Sequence, residues 1–259
     1  MPPTDFATDP WLRRRLNWEV WLVLGVSLLY SAVRSVIRIV ERLTAPVPLG
    51  EQAQELNVSL AARPLVDLAY QLAAVAFGLV PVLLALYLLS ADRTNAFHRI
   101  GFDLRKPWRD LGGGFLLAAV IGIPGLAFYL IGREMGITVA ITPAALGEYW
   151  WSVPVLLLSA AKNAILEEVL VVGYALERWR QAGWSWWKAS LTSAVVRGSY
   201  HLYQGVGPFF GNLVMGLVFN EVYRRWGRTM PLVLAHFLID VVAFVGWWLL
   251  PPGAQDFFR

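Results

Sequence analysis

The feature that most constrains this chain is a series of long apolar runs bounded by arginines. A helix needs about 20 apolar residues to cross a hydrocarbon core. Seven segments approach or reach that length: Trp18–Ile37, Leu65–Ser90, Leu111–Ile131, Val153–Leu176, Lys188–Tyr203, Phe210–Tyr223 and Met230–Leu250. They predict an all-α fold, a polytopic helical membrane bundle of about seven transmembrane helices. The fifth and sixth are short. The first has a signal peptide as its alternative, because Arg13, Arg14 and Arg15 precede it. No small-residue cleavage site is evident after it, and Arg34 and Arg38 come at once, so it is read as a span. Only 15% of the 259 residues are Asp, Glu, Lys or Arg, against about 25% in a soluble domain. The absence of cysteine excludes disulfides, a thiol nucleophile and a Cys-ligated metal.

Lysine and arginine alternate with the segments. Arg13–Arg15, then Arg93, Arg99, Arg105, Lys106 and Arg109, then Arg178, Arg180 and Lys188, then Arg224, Arg225 and Arg228 share one predicted side. The other side holds fewer: Arg34, Arg38, Arg42, Arg63, Arg133 and Arg259. By the positive-inside rule the N-terminus is cytoplasmic and the C-terminus outside. Arg34 and Arg38 fit poorly and are placed on a helical extension along the interface. The net charge of +4 is thus explained by topology, and no nucleic acid partner is expected. Trp150, Trp151, Trp247 and Trp248 mark predicted outer ends, and Trp184, Trp186 and Trp187 an inner one. The expected setting is a bacterial plasma membrane, with lipid as the surroundings. Residues 1–110 form an N-terminal segment with two spans, 111–250 the core, and 251–259 a short tail.

Ionisable groups at bilayer depth are costly and are functional candidates by default. The fourth segment carries Glu167 and Glu168, the fifth Arg197 and His201, the seventh His236 and Asp240. At 1.5 Å rise per residue, Glu167 lies about 16 Å from Arg178, and His201 about 20 Å from Lys188. His236 lies about 12 Å and Asp240 about 18 Å from Arg228. All therefore reach a similar depth. His236 and Asp240 share a helix face, and so do Arg197 and His201 at the same spacing. Glu167 and Glu168 diverge by about 100°, so that one can face a cavity while the other pairs sideways.

Such a pocket supports two chemistries. Two histidines and a carboxylate can bind zinc with a position open for water. A buried carboxylate can instead act as general base on water, with imidazoles stabilising the oxyanion. Both lead to peptide or ester hydrolysis. Ser199 is too close to His201 in sequence to serve as its nucleophile. His98 is expected in a polar loop, solvated; Lys162 and Asn163 near the outer end of the fourth span, Lys162 snorkelling; Gly112–Gly114 in close helix packing; Glu221 with neighbouring arginines.

The run Glu167-Glu168-Val-Leu-Val-Val-Gly173 resembles the EExxxR motif of the CAAX-protease and bacteriocin-processing (CPBP) intramembrane proteases. His201 resembles the histidine of their FxxxH motif, and His236 with Asp240 their HxxxB motif. The resemblance covers about residues 111–250. It implies endopeptidase cleavage of a membrane-associated peptide or protein, prenylated in some members of the family. It also implies Glu167 as water-activating base, Glu168 as its paired carboxylate, and His201 and His236 as carbonyl-polarising groups or metal ligands. Asp240 would orient the site. Zinc held by Glu167, His201 and His236 stays open. Val172 stands where the motif has arginine, and Arg197 where it has phenylalanine; Arg197 is expected to supply the missing charge to Glu168 from the neighbouring helix. The alternatives are a non-catalytic scaffold or immunity-type protein, and a proton-coupled transporter.

Overall fold

The computed structural model describes residues 8–90 and 95–255. Arg93, Arg259 and the end of the 251–259 tail lie outside the described residues. Helix α1 (Pro10–Gly25) begins where the Asp9 carboxylate accepts from the Trp11 amide at 2.9 Å, with Pro10 in the first turn. After a 59° bend the chain continues as α2 (Leu28–Leu43). At the break Ser27 Oγ donates to the Val23 carbonyl at 3.0 Å. Prolines also open α3 (Pro64–Ser90) and α4 (Pro107–Glu134), where the missing N–H costs nothing.

Helix α5 (Ser152–Glu167) passes through a π-helical stretch, Glu168–Tyr174, into α6 (Ala175–Gln181). Helix α7 (Trp186–Ser199) starts on Ser185, whose hydroxyl accepts from the Lys188 amide. Helices α8 (Val206–Trp226) and α9 (Met230–Leu249) complete the bundle. One parallel pair, β1 (Ala53–Glu55) with β2 (Ala140–Thr142), sets Ala53 opposite Ala140. The all-α expectation therefore holds apart from this pair.

Two ends of the bundle differ. At one, Arg228 donates to Asp110 at 2.8 Å and to Asp103 at 3.0 Å, tying the start of α9 to the start of α4. Arg178 on α6 donates to Glu19 on α1 at 2.9 Å, and Arg99 to Glu177 at 2.8 Å. His98 is not simply solvated here, since its Nδ1 lies 3.0 Å from Asp103. Glu221 pairs with Arg224 and Arg225. At the other end the β pair forms a cap, and Arg42 at the end of α2 donates to Gln52, Gln54 and the Ala53 carbonyl.

Between the ends, the π stretch and α6 supply Leu170, Val172, Leu176 and Trp179 to a core shared with Val20 and Leu24 of α1, Leu89 of α3, and Phe219 and Tyr223 of α8. In lipid the gain from such burial is packing rather than release of water. Gly113 and Gly114 serve close packing as expected, whereas Gly112 does not, since a Cβ there would meet nothing within 4 Å. A Cβ on Gly113 or Gly114 would strike Trp226 or Leu234 at 2.7 Å.

The expected seven crossings are fewer by length and hydropathy. Among the described residues, α3, α4 and α9 each suffice to cross a membrane, and α1 with α2 makes a fourth if counted as one broken span. Arg34 and Arg38 sit on α2, beyond the bend, with exposed side chains. The fourth, fifth and sixth segments are helical but fall short for physical reasons. The stretch from 152 to 169 carries Lys162, Glu167 and Glu168, and α8 carries Asn212, Asn220 and Glu221. Helix α7 has 14 residues, or about 21 Å. It stops partway through the bundle, and that early stop sets the depth of the turn that carries His201.

Candidate active site

Glu167 ends α5, and Glu168 opens the π stretch. A π turn inserts an extra residue and releases backbone groups from the usual ladder, and such turns often lie at functional sites. Here the Val171 carbonyl accepts from Ser193 Oγ of α7 at 3.0 Å. Asn220 of α8 donates to the Ser190 carbonyl at 3.0 Å and lies 3.4 Å from the same Ser193 hydroxyl. The first of these buried bonds ties α7 to the irregular stretch, and the others tie α8 to α7.

Glu168 is wholly buried, and so is Arg197 of α7. Arg197 Nη2 donates to Glu168 Oε1 at 2.6 Å. The guanidinium carbon also sits 5.5 Å from the centroid of Phe219, a cation–π distance. The same Oε1 lies 2.7 Å from His236 Nδ1. A carboxylate at Nδ1 fixes the imidazole's orientation and leaves Nε2 to work. His236 Nε2 faces Asp240 Oδ1 at 3.7 Å, one helical turn on. Asn163 of α5 reaches Asp240 Oδ2 at 3.5 Å.

Glu167 is held differently. Tyr200 Oη donates to its Oε2 at 2.8 Å. Among the described residues its other oxygen has no hydrogen-bond partner. His201 Nε2 stands 3.9 Å from Oε2, beyond hydrogen-bond range. Both ring nitrogens of His201 are buried without a partner.

His201 does not share a helical face with Arg197, because α7 ends at Ser199 and His201 lies in the turn beyond it. The cap holds that turn. The Val139 amide donates to the Gln204 carbonyl at 3.0 Å, and the Gly207 amide to the Ile137 carbonyl at 3.0 Å. Gly205 has φ +118, and a Cβ there would strike the Ile137 carbonyl oxygen at 2.6 Å. Only glycine serves at that position.

The structure thus brings Glu167, Glu168, Arg197, His201, His236 and Asp240 together. Tyr200 is a site residue that sequence reasoning missed, although a tyrosine beside the motif histidine at membrane depth is a usable signal. Asn163 and Lys162 are not near the outer end of a span. They lie 11 and 10 residues into α5 from Ser152, and Asn163 belongs to the site.

The zinc expectation meets a geometric objection. The ligand atoms that gather within 4.8 Å of one another belong to Glu167, Glu168 and His236, without His201. Glu168 Oε1 is already engaged by Arg197 and His236, so an ion at that oxygen would sit against a guanidinium. The gathered set thus differs from the expected one by Glu168 in place of His201, and Glu168 Oε2, buried without a partner, is the oxygen of that residue left to a metal.

Residues 149–242 match the family model described as type II CAAX prenyl endopeptidase Rce1-like. That range contains the six residues expected from the sequence and also Tyr200 and Asn163. No curated protein and no solved structure matches the chain.

Proposed function

With residues 149–242 matching the Rce1-like family of type II CAAX prenyl endopeptidases, we propose that this protein is an intramembrane endopeptidase in which Glu167 activates water against a peptide bond of a membrane-associated substrate. The observation that carries the reading is the contrast between the two glutamates. Glu168 is sealed from the site, with Arg197 and His236 both on its Oε1 and its Oε2 buried without a partner, whereas Glu167 keeps part of its side chain accessible beside an unpartnered imidazole.

Water held at the free Glu167 oxygen gives up a proton to it as its oxygen bonds to the scissile carbonyl carbon. His201 donates to the oxygen on which negative charge develops, gaining the hydrogen bond it lacks without substrate. His236, oriented by Glu168, stands by the same space with Asp240 behind it. The proton on Glu167 then passes to the leaving nitrogen as the C–N bond breaks. No step runs through a metal.

A groove of about 290 Å³ between α2 and α7, lined by Leu29, Val33, Ile37, Val196 and Ser199 among others, supports a lipid-anchored substrate. It opens on an apolar surface one residue from Tyr200, suited to a prenyl or acyl tail. The scaffold reading rests on Val172 in place of the motif arginine. Arg197 places a guanidinium on that glutamate instead, and this favours catalysis.

The test is proteolysis of a membrane-anchored peptide library by the purified protein in lipid, beside Glu167→Ala and His201→Ala. Cleavage by the wild type, lost in both variants and retained in chelator, is expected. A wild type that cleaves nothing would leave the scaffold reading. Cleavage abolished by chelator and restored by zinc would replace the carboxylate base with a metal.

A further inference from the structure

Ser35 lies on α2, outside residues 149–242, and no step of the mechanism uses it. The residues that α2 buries are Leu28, Ala32, Ser35, Ile39 and Arg42, a stripe at helical spacing turned to the bundle. A serine in a helix commonly bonds its own helix, at the carbonyl four residues back. Ser90 and Ser199 do so, onto Leu86 and Val195. Ser35 instead donates across the helix interface to the Tyr200 carbonyl at 2.9 Å, a buried bond between residues 165 apart in sequence.

That carbonyl has left the helical ladder, because α7 ends at Ser199. Among the described residues no backbone amide donates to it. The Tyr200 carbonyl and the His201 amide belong to one planar peptide unit. Holding its oxygen therefore fixes the base of two site side chains at once. On one side, Tyr200 Oη donates to Glu167 Oε2 at 2.8 Å. On the other, His201 Nε2 stands 3.9 Å from the same oxygen. The cap engages the turn only later, at Gln204 and Gly207. We propose that Ser35 is a positioning residue: by holding the Tyr200–His201 peptide it sets both side chains against Glu167. Helix α2 then helps to set the active site, besides packing the bundle. The proposal rests on the endopeptidase reading of the site.

Ser35→Ala removes the hydroxyl and keeps α2, because alanine is a good helix former. Wild type, Ser35→Ala and Ser35→Thr are compared in nanodiscs by two measurements. Steady-state cleavage of one membrane-anchored peptide reads kcat and KM. Carbon NMR of protein labelled at the tyrosine ζ carbon reads the Tyr200 hydrogen bond, with the Tyr200 resonance identified by its loss in Tyr200→Phe. Ser35→Ala is expected to lower kcat about fivefold, to leave KM within about twofold, and to shift the Tyr200 resonance. Ser35→Thr, which keeps the hydroxyl, is expected to restore both readouts. A Tyr200 resonance unmoved in Ser35→Ala would overturn the proposal, and so would a loss confined to KM. A wild type that cleaves nothing would remove the protease reading; the resonance then decides alone whether Ser35 holds Tyr200 on Glu167.

Discussion

Arg197 Nη2 stands 2.6 Å from Glu168 Oε1, and neither side chain has any exposed surface. The pair joins α7 to the start of the π stretch. Removing one member of a buried pair leaves an uncompensated charge, at a cost of about 3–5 kcal/mol, whereas removing both is far less damaging. Arg197→Met is therefore expected to lower the unfolding midpoint sharply, and Arg197→Met with Glu168→Gln to recover much of the loss. Returning the motif arginine to the glutamate's own helix, as Val172→Arg with Arg197→Phe, should fold better than Arg197→Phe alone. Thermal unfolding in lipid checks all four. Equal midpoints for the single and double variants would show that the two charges do not depend on each other.

Tyr200 orients the proposed base. A hydrogen bond to a charged group contributes about 1.5–3 kcal/mol. If that bond sets the position of Glu167 for attack, Tyr200→Phe lowers kcat about tenfold or more and leaves KM nearly unchanged. Steady-state cleavage of one anchored peptide reads both constants. A change confined to KM would place Tyr200 in substrate binding instead.

The site was more legible than the bundle around it, and the reason is the same for both. Glu167, Glu168, Arg197, His201, His236 and Asp240 stand out because lipid makes buried charge expensive, so each had to mean something. Counting crossings failed where those same charges dilute hydropathy. Helices α5, α7 and α8 carry polar groups turned toward one another, and a helix shielded by protein need not be apolar all round. The bend at residues 26–27 had no proline or glycine pair to announce it, only Gly25 and Ser27 beside valine. The β pair joins segments far apart in sequence, with three residues each, too few to show alternation. The π stretch reads as a run of Val and Leu between Glu168 and Gly173, and the contact that engages its backbone comes from Ser193 on another helix.

The ionic latch at the arginine-rich end gives a pH prediction. Burial works to raise the Asp103 carboxyl. Hydrogen bonds from His98, the Arg105 amide and Arg228 outweigh that and hold it well below its ordinary value of 3.8. A group depressed in the folded state contributes stability above its unfolded pKa, and that contribution disappears as pH falls through the folded one. Wild type is thus expected to exceed Asp103→Asn in midpoint at pH 7, with the gap narrowing only below about pH 4. A gap independent of pH down to strong acid would mean that Asp103 acts by shape rather than charge.

Gly216 controls how closely α8 approaches α7. A Cβ there would meet Ala194 Cα at 3.1 Å and Arg197 Cδ at 3.2 Å. Backbone cannot give cheaply, and Arg197 has little freedom, because its head is fixed on Glu168 and lies over Phe219. Overpacking of this kind costs about 1–3 kcal/mol. Gly216→Ala should fall at the low end in stability and yet lower kcat several-fold, since a shift of Arg197 is passed through Glu168 to His236. Gly216→Val should do more of both. The control is Gly112→Ala on α4, where an added Cβ meets nothing within 4 Å. Activity unchanged in Gly216→Ala would show that the pair tolerates displacement and that His236 takes its position from elsewhere.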